Sequence, residues 1–406
     1  MMKRSITSSA KLAAVSLAFL LLTVSVAKAS WSRHPTPVSK NKPLHEIPFE
    51  YDVDKIVVPV KVNGSKAIRC ILDTGMPEGL FIMNPDVGKE MNLKYALTQV
   101  QIGGAGANME TASMAMGAEL DMAGVLLKGQ RVIVKNKSDH FSHTDWVGVI
   151  GASIFNKYVV EIDTEKEVIK LFDPKGYDSS KSGEALDLTI TRTKPYITIP
   201  VSVDGKKAIP VKTVVDTGAS SALMLSADSN PGFVIPDKSI QGVFGAGIGG
   251  DVTGKMVRVE KVAFGRHSLN NVVTLFKNGP VPANGQGLIG MRILERFLIT
   301  FDYQNKKMYL KPNGNFDKPF EYDMIGLALR PAASGMRVAD VIKGSPAFEA
   351  GIRKDDVITG FNGQEATFDR WSNVNNRLRK PGKKLTIKWK SGDSEFEKQI
   401  VTKRLI

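Results

Sequence analysis

The chain has 406 residues, with 55 Lys and Arg against 41 Asp and Glu, five His and one Cys, for a formal charge of +14. A single cysteine excludes an intramolecular disulfide framework. The lysines are spread thinly with no arginine-rich tract, so the charge reads as a solvated basic surface and not as a nucleic-acid footprint.

Residues 1–29 have the pattern of a secretory leader. Lys3, Arg4 and Lys11 precede the apolar run Leu12 to Val26, and Ala27-Lys28-Ala29 offers a small-residue cleavage site. The run is shorter than the roughly 20 apolar residues of a spanning helix. The expected destination is therefore periplasm or medium, with no stable membrane anchor. Residues 30–42 are polar and proline-bearing and read as a loose leader to the folded part.

From residue 43 the chain reads as short β-branched strands and glycine turns, with almost no long helical periodicity. Ile56 to Gly64 alternates into an Asn-Gly turn, and the next strand, Ile71-Leu72, ends at Asp73-Thr74-Gly75. Cys70 in that strand reads as a buried small hydrophobe. Further on, Val149-Ile150-Gly151 leads into a strand-turn-strand through Asp163. The whole series then recurs. Ile197 to Gly205 matches the first hairpin, Val214-Val215 ends at Asp216-Thr217-Gly218, and Leu288-Ile289-Gly290 leads into Asp302. A near-constant offset between the copies marks the internal duplication of a whole lobe. The lobes are placed at 43–175 and 184–313, joined by a Pro/Gly/Ser-bearing linker.

Each lobe also has a glycine-rich stretch about 30 residues past its Asp: Gly103-Gly104 in the first, and Phe244-Gly245-Ala246-Gly247 in the second. The Gly245-x-Gly247-x-x-Gly250 spacing fits a dinucleotide fingerprint only superficially, because no helix follows it. His140, His143 and Asp145 lie in a loop without helical i, i+4 spacing, and no metal site is assigned. The G-x-S-x-G elbow of serine hydrolases is absent around Ser220.

The doubled hydrophobic-Asp-Thr-Gly turns, each answered by a later hydrophobic-hydrophobic-Gly segment, resemble the two-lobed bacterial aspartic proteases of the retropepsin and pepsin type. The resemblance implies a mainly β fold of two tandem retropepsin-like β-barrel lobes about a pseudo-twofold axis. It implies Asp73 and Asp216 as the catalytic pair and Gly151 and Gly290 as the crossing glycines. Thr74, Gly75, Thr217, Gly218 and Ser220 would support the pair. Gly103, Gly104, Phe244, Gly245 and Gly247 would lie in flap hairpins over the substrate. Lobe one has Pro77 where the family usually has Ser or Thr, so Asp73 is expected to lack one donor that Ser220 gives Asp216. The chemistry needs no metal or organic cofactor, and two lobes in one chain make a monomer sufficient.

Residues 320–406 have a different texture. Gly344-Ser345-Pro346-Ala347 opens a short helix that Gly351 stops. Asp356-Val357-Ile358 runs to an Asn362-Gly363 turn, and a second helix fits 369–379. The run resembles a small α+β PDZ domain of the bacterial protease type. By that resemblance Ile325, Gly326, Leu327 and Ala328 form a carboxylate-binding loop and the strand that pairs with a C-terminal peptide. The expected function is that of an exported aspartic endopeptidase acting on polypeptides. The competing reading is an inert peptide-binding adaptor that uses the PDZ groove.

Overall fold

The computed structural model describes residues 42–406 apart from 204, 206 and 280–284, so the leader at 1–29 lies outside the described residues. Strand patterning decides the architecture. The strand Lys55–Val62 alternates buried and exposed side chains over its second half. It folds back through Asn63 (φ 48°) and Gly64 (φ 78°), the left-handed pair that a two-residue hairpin turn demands.

Six strands then close into a barrel. In spatial order they are Lys55–Val62, Ile68–Leu72, Gly148–Ile150, Leu80–Ile82, Val125–Lys135 and Glu110–Met122. The last strand returns to the first through Val60↔Met122 and Val62↔Leu120. The second lobe repeats the order with Lys194–Ser202, Ile209–Val215, Gly287–Ile289, Leu223–Ser226, His267–Lys277 and Gly250–Phe264, closed by Val201↔Val262. In both barrels the strand leading to Asp-Thr-Gly runs parallel to the later hydrophobic-hydrophobic-Gly strand, through Leu72↔Ile150 in one and Val215↔Ile289 in the other.

The lobes are fused rather than merely tethered. A third sheet is shared between them, in the order His45–Pro48, Val168–Phe172, Val159–Asp163, Phe297–Asp302, Lys307–Pro312 and Glu184–Asp187. The seam is the antiparallel pair Val160↔Phe301 and Ile162↔Ile299. Phe155 packs on both Phe301 and Tyr303 at ring-centroid distances of 5.3 and 5.5 Å, so one apolar core runs through both lobes.

The C-terminal domain has its own core around Trp389, Ile358, Val338 and Ile387. Its sheet orders Leu327–Ala332, Gly335–Val341, Val357–Phe361, Lys384–Ser391 and Ser394–Val401. The helix Pro346–Ala350 is capped by Ser345, whose Oγ accepts from the Phe348 N–H, and it stops at Gly351 with φ 103°. The second helix is Phe368–Leu378, one residue earlier than the sequence spacing suggested. No helix among the described residues is long and apolar enough to cross a membrane.

A Cβ on Gly151 would overlap the Pro77 carbonyl oxygen, while one on Gly176 would meet open space. Gly151→Ala is therefore expected to cost about 3 kcal/mol or more by overpacking, and Gly176→Ala no more than about 0.5 kcal/mol. Urea denaturation of the two variants beside the parent checks this. Equal midpoints would contradict the close approach.

Candidate active site

The two Asp-Thr-Gly turns meet between the barrels. Each parallel strand pair fixes its own Asp from behind: the Asp73 N–H donates to the Ile150 carbonyl and the Asp216 N–H to the Ile289 carbonyl, both at 2.9 Å. Thr74 and Thr217, fully buried, then tie the turns together. The Thr74 N–H donates to Thr217 Oγ1 and the Thr217 N–H to Thr74 Oγ1, each at 3.0 Å. In return Thr74 Oγ1 donates to the Val215 carbonyl at 2.6 Å and Thr217 Oγ1 to the Leu72 carbonyl at 2.8 Å. Each hydroxyl thus gives its one proton across the lobe boundary and accepts one N–H back.

Glycine follows for a reason of space. A Cβ on Gly75 would lie 2.7 Å from the Asp216 carboxyl carbon, and one on Gly218 would collide with the Asp73 carboxyl. The Gly75 N–H donates to Asp73 Oδ1 at 2.6 Å and the Gly218 N–H to Asp216 Oδ1 at 2.9 Å. Burial, then the Asp73 charge, then a hydrogen bond with Asp73 push the Asp216 carboxyl up to about 8. Two carboxyl groups so close cannot both be ionised cheaply, which adds to the rise that burial produces at Asp216.

The pair opens into a cavity of about 640 Å³. Asp73, Asp216, Gly75, Gly218, Gly103, Gly104, Phe244, Gly245 and Gly247 all line it. The glycine-rich stretches are hairpin ends, between Tyr95–Ile102 and Glu110–Met122 in one lobe and between Ile240–Gly247 and Gly250–Phe264 in the other. Their tips touch: Gly106 and Gly249 form a parallel bridge, with the Asn108 N–H on the Gly249 carbonyl at 3.0 Å and the Gly249 N–H on the Ala105 carbonyl at 2.9 Å.

Two sequence expectations are corrected. Ser220 does not serve Asp216; its hydroxyl donates to the Val53 carbonyl at 2.9 Å, because the turn at Val53-Asp54 comes within its reach first. The Ile325-Gly326-Leu327 loop does not offer its N–H groups to a peptide end. Asp323 already occupies them, with Oδ1 accepting from the Ile325 N–H at 2.8 Å and Oδ2 from those of Gly326 and Leu327 at 3.1 Å. Burial pushes this carboxyl up to about 6, and the three backbone donors and Arg379 hold it from going higher.

Charged residues that motif reasoning passed over surround the pair. Lys55 donates to the Gly218 carbonyl, and both Lys55 and Lys194 line the cavity. Each is the first residue of its barrel's opening strand, a shared position that was visible in the sequence. Burial pulls Lys55 below the usual lysine range, while Asp216, Asp73 and Asp54 resist that fall. Asp54 in turn is gripped by Arg379, from the end of the C-terminal domain's second helix, through two bonds of 3.0 and 2.6 Å. Burial raises the Asp54 carboxyl, but Arg379, Arg292 and Lys55 outweigh it and leave the group below its ordinary value. Trp146 of the cavity wall meets Phe368 edge to face at 5.1 Å. The C-terminal domain therefore completes the surroundings of the site.

Residues 199–293 match the aspartyl protease family, and residues 324–400 match the PDZ domain family. The structure is similar to the crystal structure of the aspartic proteinase from Irpex lacteus, with a TM-score of 0.44 and 15% identity, over 68% of this chain and 98% of that one. No protein in the curated collection matches the chain in sequence.

Removing a partner from a buried ion pair costs about 3–5 kcal/mol, because the other charge is left bare. Arg379→Met should destabilise by that order through Asp54, and adding Asp54→Asn should recover most of the loss; denaturant midpoints decide. The Lys55 charge holds the Asp216 carboxyl down. Lys55→Met should accordingly move Asp216 above about 8, as read by carboxyl carbon NMR titration. A downward or null shift would contradict the arrangement.

Proposed function

We propose that this two-lobed aspartyl-protease-type chain with its PDZ domain is an aspartic endopeptidase using Asp73 and Asp216. The observation that supports it is the pair itself: two half-buried carboxyl groups locked face to face by reciprocal threonines, one of them pushed up to about 8, at the base of a 640 Å³ cavity.

The chemistry follows from the proton's place. The Asp73 carboxylate takes a proton from a water held between the two groups, and the water oxygen forms a bond to the scissile carbonyl carbon. Asp216 gives its proton to the carbonyl oxygen, so the tetrahedral diol carries no net charge. Collapse of the diol breaks the C–N bond. The leaving nitrogen takes a proton from Asp73, and the hydroxyl proton released on re-forming the carbonyl returns to Asp216. The Thr74–Thr217 lock fixes the geometry in advance, which is where such a site derives its advantage over water. One chain supplies both carboxyl groups, so a monomer is the catalytic unit. The leader pattern supports export, with a mature chain beginning at Ser30. N-terminal sequencing of the exported protein checks that point.

The adaptor reading is favoured by one observation, the hydrogen bonds that close the two hairpin tips over the cavity. A peptide-library digest separates the two readings. The purified mature chain should cleave, should be blocked by a statine-type analogue, and should lose at least about 10³-fold activity as Asp73→Asn or Asp216→Asn with its thermal transition kept. Full activity in either variant would defeat the two-carboxylate mechanism. Silence of the parent chain would favour the adaptor.

A further inference from the structure

The PDZ-type groove, between the edge strand Leu327–Ala332 and the helix Phe368–Leu378, does not stand apart from the catalytic lobes. It opens onto the second lobe as a cavity of about 200 Å³, lined on the groove side by Leu327, Ala328, Trp371 and Asn375. Ser220, Ser221, Met224, Phe244 and Gly245 form walls of both this cavity and the catalytic one. The strand Leu327–Ala332 is hydrogen-bonded to Gly335–Val341 on one side and lies at the sheet's edge on the other. Arg330 pins that edge strand to the hairpin of lobe two, donating to the Gly245 carbonyl at 2.7 Å and to Asp251 at 2.8 Å.

The groove therefore has the shape of an extension of the cleft, and its electrostatics indicate what it takes. The usual seat for a chain-terminal carboxylate is filled by Asp323. One cation in the wall is uncommitted. The Arg292 guanidinium makes no hydrogen bond or ion pair among the described residues, and its Nε is buried without a partner. Its acidic neighbours are engaged elsewhere: Asp54 with Arg379, and Glu295 accepting from the Tyr51 hydroxyl at 2.8 Å. A buried guanidinium in this state is a site for an incoming anion.

We propose that this cavity is a specificity subsite of the catalytic cleft, which receives an acidic side chain from an extended internal segment of the substrate polypeptide and seats it on Arg292. The segment comes from within a chain and not from its end, because Asp323 already fills the place of the end. Arg292 is a specificity-determining residue here and takes no part in bond breaking. The catalytic readout rests on the protease reading, whereas the binding readout does not.

The test uses the full-length protein and a pool of randomised 12-residue peptides, N-acetylated and C-amidated, with cut sites read by mass spectrometry. Asp and Glu should be enriched about tenfold over Asn and Gln at one fixed position relative to the cut. Arg292→Met should level that preference, and Arg292→Lys should keep part of it. The same pool with free C-termini should give the same profile. A separate arm selects binders on the uncleaving Asp216→Asn chain, where acidic peptides should be retained and should be lost on adding Arg292→Met. Cleavage without acidic preference, preference unchanged in Arg292→Met, or a requirement for a free C-terminus would each overturn the subsite. Absence of cleavage together with selective retention of acidic peptides would sink the protease reading and leave the subsite standing. Absence of both would sink the subsite too.

Discussion

The reciprocal exchange between Thr74 and Thr217 is the constraint on which the remaining geometry depends. Two fully buried hydroxyls each accept a backbone N–H from the other lobe and donate in return to the Val215 and Leu72 carbonyls. Were the lobes to shift, four buried polar groups would lose their bonds together, at about 1–3 kcal/mol for each one left unsatisfied. That penalty holds the two carboxyl groups at a separation at which both cannot be ionised cheaply. The shared sheet through Val160↔Phe301 resists the same shift over a wider area.

A second layer acts on the turn at Val53-Asp54. Both residues have left-handed backbone, φ 46° and 57°, and for a β-branched valine this is an outlier. Such strain persists only where neighbours over-determine it. Here Ser220 accepts that task for the Val53 carbonyl and Arg379 for the Asp54 carboxylate. The next residue is Lys55, whose ammonium bears on the Gly218 carbonyl and on both catalytic candidates. A helix end in the C-terminal domain thereby sets the position of a cation beside the carboxyl pair.

Much of this was legible in the sequence. The duplicated series was readable as two strand-rich lobes, because period-two patterning and glycine turns are local signals, whereas the barrels and the pairing of Asp73 with Asp216 were readable only through the family resemblance that the series carries. Gly151 and Gly290 were readable only through the family resemblance as the crossing glycines, and the structure supplies the reason, since a side chain at either would strike backbone carbonyls. The shared sheet was not readable, since the pairing of 159–163 with 297–302 is decided by which edges remain open once both barrels close. Ser220 shows the limit of carrying a role over by position: its hydroxyl bonds to the carbonyl nearest to it, and that carbonyl belongs to a turn over 160 residues away. Asp323 shows the same limit. A loop with the right spacing for a carboxylate attracts one from its own chain if the preceding residues supply it. Arg292, Arg379 and Asp54 are single charged residues in sequence and gain meaning only from the faces that meet.

The contact between the hairpin tips bears on how often the cavity admits anything. Two backbone hydrogen bonds and the Gly106–Gly249 bridge hold the roof down, and a side chain at Gly106 would strike the Gly249 backbone. Bonds of this kind are worth about 0.5–1.5 kcal/mol each in water, so the raised state lies only a few RT above the closed one. A linear, unfolded segment can follow the groove beneath the roof or wait for it to lift. A cyclic peptide or a tightly packed loop has only the second route. The tips thus filter by the shape of the backbone and the frequency of opening, before any side chain has been read.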